Sequence, residues 1–99
     1  MNFKKIRSVR LPYDRQGYIW FCCRNFALLG RKRQERIKAL CLEIAGRDRY
    51  NELFDFLTGG GNIRYIMTKY YITNPGKLYK MRRQFYEQYI DFVDKTVDN

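Results

Sequence analysis

The sequence predicts an all-α domain: a compact bundle of about five helices with a long last one. Three observations predict it. Apolar residues recur at i, i+3, i+4 and i+7 in successive segments, which is the spacing of one helix face. Glycines and an Asn-Pro-Gly step fall between those segments, where helices stop and start. The apolar share is 45% and the aromatic share 17% of 99 residues, enough for one core and too apolar for a disordered chain.

Residues 1–13 read as a basic N-terminal arm, with Lys4, Lys5, Arg7 and Arg10, no acid, and Pro12 ending the run. A flexible arm is the expected structure, and an edge strand around Val9 and Leu11 is the competitor. Basic arms of this kind reach into minor grooves; a solvated tail that merely adds charge fits equally well. Residues 14–99 are expected to form a single helical domain. Asp14 is placed to cap a helix through Leu29, closed by Gly30. The run YIWFCC is also good strand material. Trp20 and Phe26 are expected to supply much of the core's area, with Arg24 pointing outward.

From Arg31 the chain reads RKRQERIKALCLEIAG, with Ile37, Leu40, Cys41 and Ile44 on one helical face and Gly46 as a stop. Its first turns carry Arg31, Lys32, Arg33, Arg36 and Lys38 against Glu35 alone. Cations there oppose the helix dipole, at about 0.3–1 kcal/mol each where exposed. Phosphate contact and a plain solvated face are the two readings of that cluster. Asp48 can cap the next helix, to about Thr58, with Tyr50, Leu53, Phe54 and Leu57 inward and Glu52 and Asp55 off that face. That segment reads as structural. The glycines that follow at 59–61 lack the Gly-Lys-Ser/Thr of a phosphate loop and read as a helix end and connector.

The stretch Asn62–Asp94 is a two-helix unit. Asn62 caps a short helix with Ile63, Ile66, Met67 and Tyr70 on one face, and Ile72 plugs the turn into the core. Asn74 then serves as N-cap and Pro75 as first helical residue. The last helix places Leu78, Phe85 and Phe92 seven apart, with Met81, Tyr89 and Val93 filling the stripe. Its leading turns carry Lys77, Lys80, Arg82 and Arg83, and no acid precedes Glu87. Glu87, Asp91, Asp94 and Asp98 then form an acidic stripe, with Arg83 and Glu87 spaced to pair at i, i+4. Both charge clusters oppose the dipole, so helix stability does not explain them.

Ile66-Met67-x-x-Tyr70-Tyr71-Ile72-Thr73, followed by Leu78-Tyr79-Lys80-Met81-Arg82-Arg83, resembles the helix-turn-helix of sigma-factor region 4. It is similar also to small regulators of phages and integrative elements. The resemblance covers roughly residues 62–86. It implies that the first helix supports and the second reads DNA, with Asn74, Lys77, Lys80 and Arg83 facing the groove and Thr73 and Tyr79 approaching the backbone. The family usually has a small residue where Met67 stands and often Gly near Tyr71. Around Gly76 the joint here is one residue longer than the common pattern.

Twenty Lys and Arg against ten Asp and Glu leave a formal charge of +10, which favours a polyanionic partner. Double-stranded DNA comes first; RNA or an acidic protein is the alternative. No apolar run approaches the ~18 residues of a spanning helix, so no membrane is expected. The basic leading residues lack the apolar stretch of a secretory signal. Cys22, Cys23 and Cys41, with no histidine, make neither a metal site nor a disulfide framework, and fit buried thiols in a cytoplasmic protein. Without histidine the usual general base is missing too, so neither an enzyme nor a cofactor is expected. The predicted function is that of a small DNA-binding protein, a transcriptional regulator or accessory factor of a phage or mobile element. It would read the major groove with the helix starting near Asn74. Dimerisation through the aromatic face of residues 85–93 would then imply a two-fold site. The alternative is an inhibitor or adaptor that binds a nucleic-acid enzyme or RNA, with tyrosines stacking on unpaired bases.

Overall fold

A computed structural model describes residues 5–59 and 62–97, and the side chains of all these up to residue 89. Within that range the chain is all-α, with four helices: α1 (Tyr13–Arg24), α2 (Arg31–Thr58), α3 (Ile63–Lys69) and α4 (Gly76–Val97). A single 3-10 turn, Phe26–Leu28, joins α1 to α2.

Helix α1 starts one residue before Asp14. Pro12 is the N-cap residue, with its carbonyl accepting the Gln16 N–H at 3.1 Å. Asp14 instead lies in the first turn, where its charge complements the dipole and its Oδ1 accepts the Arg15 N–H at 3.0 Å. The helix also stops short of the expected Leu29. Asn25 leaves helical geometry, with its backbone N–H and its side-chain amide both donating to the Phe21 carbonyl, at 3.0 and 2.9 Å, which satisfies the helix end there. Gly30 then opens α2 instead of closing α1.

Helix α2 contains what the sequence predicts as two helices, so the fifth expected helix is its second half. At Gly46 the backbone leaves the helix with φ 73° and ψ 172°, a region essentially restricted to glycine. The expected stop is therefore a bend, and Asp48 sits beyond it on an exposed turn.

Helix α4 is the spine of the core. Leu78, Met81, Phe85, Tyr86 and Tyr89 are buried against Ile37, Leu40, Cys41, Leu53, Phe56 and Leu57 of α2 and Ile19 and Cys23 of α1. The Phe85 and Tyr89 rings stack at 5.4 Å. Trp20 and Phe26 are only partly buried at the margin of this cluster, so the aromatic centre lies on α4 rather than on α1. Phe56 meets Tyr79 at 6.1 Å near the start of α4, while Arg33 acts on Tyr89 further along; α2 and α4 thus run antiparallel. Helix α3 packs on the second half of α2.

Residues 5–12 depart from the expected flexible arm. Gln16 is fully buried, and its side chain serves four backbone groups of that segment. Its Oε1 accepts the Ile6 N–H at 2.8 Å, and its amide reaches the carbonyls of Ile6 and Val9 at 3.3 Å and of Leu11 at 3.0 Å. Val9, 3% exposed, is thereby pinned into the core.

Candidate nucleic-acid interface

The joint between α3 and α4 is built locally from side-chain caps. Asn62 accepts the N–H groups of Arg64 and Tyr65 at 3.0 and 3.3 Å, capping α3 as its sequence position predicts. Asp55 of α2 then ties α3 down. Its carboxylate accepts from Lys69 at 2.8 Å and from the Tyr70 hydroxyl, which also reaches the Asn51 carbonyl at 3.3 Å. Burial opposes ionisation of Asp55, but the bonds from Lys69 and Tyr70 outweigh it and hold the carboxyl below its usual range.

At the end of α3 the Ile72 N–H bonds the Met67 carbonyl at 2.8 Å and the Tyr71 N–H bonds the Thr68 carbonyl at 3.4 Å. This is the paired pattern of a Schellman ending, whose left-handed position is usually glycine. Here it is Tyr71, at φ 56°. Ile72 packs against the core, as expected. Asn74 Oδ1 accepts the Gly76 N–H at 2.9 Å, so it caps the entry to α4 one residue ahead of Pro75.

The expected DNA-facing residues fall into three groups. Thr73, Asn74, Lys77 and Lys80 stand exposed along the joint and the leading turns of α4. Tyr79, 41% exposed, leans its ring on Phe56 and on the Arg82 guanidinium, 5.2 Å from its centroid. Arg83 is half-buried and belongs to a second group, lining a cleft with Ser8, Arg10, Leu11 and Glu87. There the Arg10 backbone N–H donates to Glu87 at 3.2 Å, so Glu87 serves the docked segment. Lys5 and Arg7 are exposed on that segment. The third group is Arg31, Lys32, Arg33 and Arg36 at the start of α2, where Arg31 pairs with Glu35 at 3.0 Å. Arg33 acts near Tyr89, ten residues or about 15 Å along α4 from Tyr79. The basic residues do not form one patch. Lys4 and the Asp91, Asp94 and Asp98 side chains lie outside the described residues, as do those of Phe92 and Val93.

Comparison with known proteins finds no family model, no curated protein and no solved structure that matches this chain.

Of the expected dimer face at residues 85–93, Phe85, Tyr86 and Tyr89 are at most 3% exposed and are spent on the chain's own core; its side chains beyond residue 89 lie outside those described. Cys22, Cys23 and Cys41 are buried thiols; burial pushes Cys41 up to about 12 and, with Cys41 and Cys22 alongside, raises Cys23 as well. Cys23 and Cys41 therefore carry little thiolate and are poor nucleophiles. Among the described residues no group of His, Cys, Asp and Glu is placed to hold a metal ion, and no helix is long and apolar enough to cross a membrane.

Two clefts at the joint include residues that the sequence pattern does not single out. One is lined by Arg64, Met67, Thr68, Tyr71, Ile72 and Thr73, the other by Arg49, Tyr70, Tyr71, Asn74 and Lys77 among others. Arg82 shows the opposite case, a basic residue drawn inward. Its guanidinium sits 5.1 Å from the Phe56 ring, its Nε is buried without a hydrogen-bond partner, and burial pulls its pKa down. One sequence signal points to the clefts: Tyr71 stands where a helix ending calls for glycine.

Proposed function

We propose that the protein binds double-stranded DNA through the α3–α4 joint and the leading turns of α4, as a small regulator or accessory factor. One observation carries the reading. Lys77 and Lys80 project, exposed, from a helix start that has no acid in its first turn. Cations in that position oppose the helix dipole, and a phosphate backbone would reverse the penalty. Thr73 and Asn74 add short polar groups beside them, of the type that hydrogen-bonds phosphates and base edges. The formal charge of +10 supplies the long-range attraction.

Mixed-sequence duplex binding measured as salt rises tests this directly. With ~5 phosphate contacts, affinity should fall several hundredfold between 50 and 200 mM salt. Lys77→Ala with Lys80→Ala should weaken binding and lower the log–log salt slope by about two. No duplex binding at low salt, or an unchanged slope in the double variant, would sink the reading.

A further inference from the structure

Tyr71 combines two features that work against the folded chain. Its backbone is left-handed, φ 56°, where an L side chain meets the following carbonyl and glycine would be free of strain. The residue is 92% exposed, the most exposed of the large hydrophobic residues in the described region. Neither is offset by packing. A ring that does not hold the fold together, at a position where any ring is strained, points to a partner.

The surroundings say what kind. Tyr71 is a ridge between the two clefts at the joint. On one side the floor is apolar, Met67 and Ile72, with Arg64 at the rim. On the other stand Asn74 and Lys77, with Glu52 also lining the cleft but neutralised by its ion pair with Arg49 at 3.4 Å. A flat apolar face between two cations matches an unpaired nucleobase, which stacks on the ring while Arg64 and Lys77 take the phosphates on either side. Stacking of this sort tolerates any base, because every base has a π face.

We infer that Tyr71 is a base-stacking residue that captures one unpaired DNA base at the joint, so that the protein prefers duplexes carrying an extrahelical base. The inference rests on the proposed DNA binding and names the feature of DNA that the same site selects.

The test compares a fully paired duplex with the same duplex bearing a single bulged 2-aminopurine, using the full chain and its Tyr71→Gly and Tyr71→Phe variants. Wild type should bind the bulged duplex about tenfold more tightly, with 2-aminopurine fluorescence quenched on binding. Tyr71→Phe should keep both effects. Tyr71→Gly should lose both, its affinity ratio for bulged over paired duplex falling to about one whatever its affinity for the paired duplex. Glycine relieves the left-handed backbone, so this variant should melt no lower than wild type. Paired binding with no bulge preference, or a preference that survives in Tyr71→Gly, overturns the inference and leaves the proposed function standing. Binding of the bulged duplex alone, lost in Tyr71→Gly, supports the stacking role and overturns the duplex reading. No binding to either overturns both.

Discussion

Replacing Gln16 with leucine should release the N-terminal segment from the domain. The substitution keeps the side chain's bulk but removes an acceptor and a donor group that together serve four backbone atoms at 2.8–3.3 Å. If the segment stayed docked, the buried Val9 carbonyl alone would be left unpaired at about 1–3 kcal/mol, with smaller penalties at Ile6 and Leu11. If it undocked instead, Val9 would leave the core at about 1.5–3 kcal/mol, partly repaid by backbone freedom. The chain takes the cheaper route, so the loss should be about 2 kcal/mol, a fall in Tm of roughly 8–16 °C for a domain of this size. Undocking has its own signature, because Arg7 and Arg10 are trypsin sites on the segment. Cleavage after Arg10 should be slow in wild type and fast in the variant, while cuts within α2 and α4 stay slow. A melting point within ~2 °C of wild type, with unchanged cleavage after Arg10, would refute the account of Gln16 as the anchor.

Gly46→Ala meets no steric obstacle, since a Cβ there finds open space, yet it must adopt φ 73° and ψ 172°. The expected loss is about 1–3 kcal/mol, read as a lower Tm, and a variant as stable as wild type would show that the bend does not need glycine. Asp55 gives a pH prediction. Its folded pKa lies below its ordinary value, so its contribution is present above about pH 4 and is lost as pH falls through the folded pKa. Asp55→Asn should therefore show a shallower loss of stability from pH 5 to 2 than wild type. Parallel curves would mean that the carboxylate's bonds to Lys69 and Tyr70 add nothing.

What was legible in the sequence was what is local. Asn62 and Asn74 cap helices within three residues of themselves, so residue type and position were sufficient to place them. The periodic faces of α2 and α4 were legible for the same reason. Phe56 and Tyr86 fall off the expected stripes because each helix is enclosed on more than one side: Tyr86 turns toward Cys23 of α1, and Phe56 toward Arg82 and Tyr79 of α4. Gln16 was invisible as an anchor because its partners are backbone groups five to ten residues away, which carry no side-chain signature. The site divides the same way. Positive charge was legible from composition, but its distribution was not, since the antiparallel run of α2 and α4 sends Arg31–Arg36 and Lys77–Lys80 to separate parts of the molecule.

The second half of α2 decides how the joint is presented. Asn51 and Asp55 hold Lys69 and Tyr70 of α3, while Phe56, one residue on, holds Tyr79 and Arg82 of α4. Each helix of the joint is thus fixed to one turn of α2, and the angle between them is set by that turn more than by direct packing of α3 on α4. Gly46 in turn sets the direction of that half of α2 relative to the half that carries Ile37, Leu40 and Cys41. A change at Gly46 therefore carries α3 and the start of α4 together, preserving their mutual geometry while shifting both against α1. Loss of the Asp55 bonds does the reverse, freeing α3 and with it Tyr71 while leaving Lys77 and Lys80 in place on a helix seated by Leu78 and Met81. The two perturbations separate the proposed contacts: Asp55→Asn should weaken selection of the bulged base more than it weakens paired-duplex binding, because only the ridge depends on the clamp. Equal losses for the two duplexes would mean that α3 and α4 contribute to binding as one rigid piece.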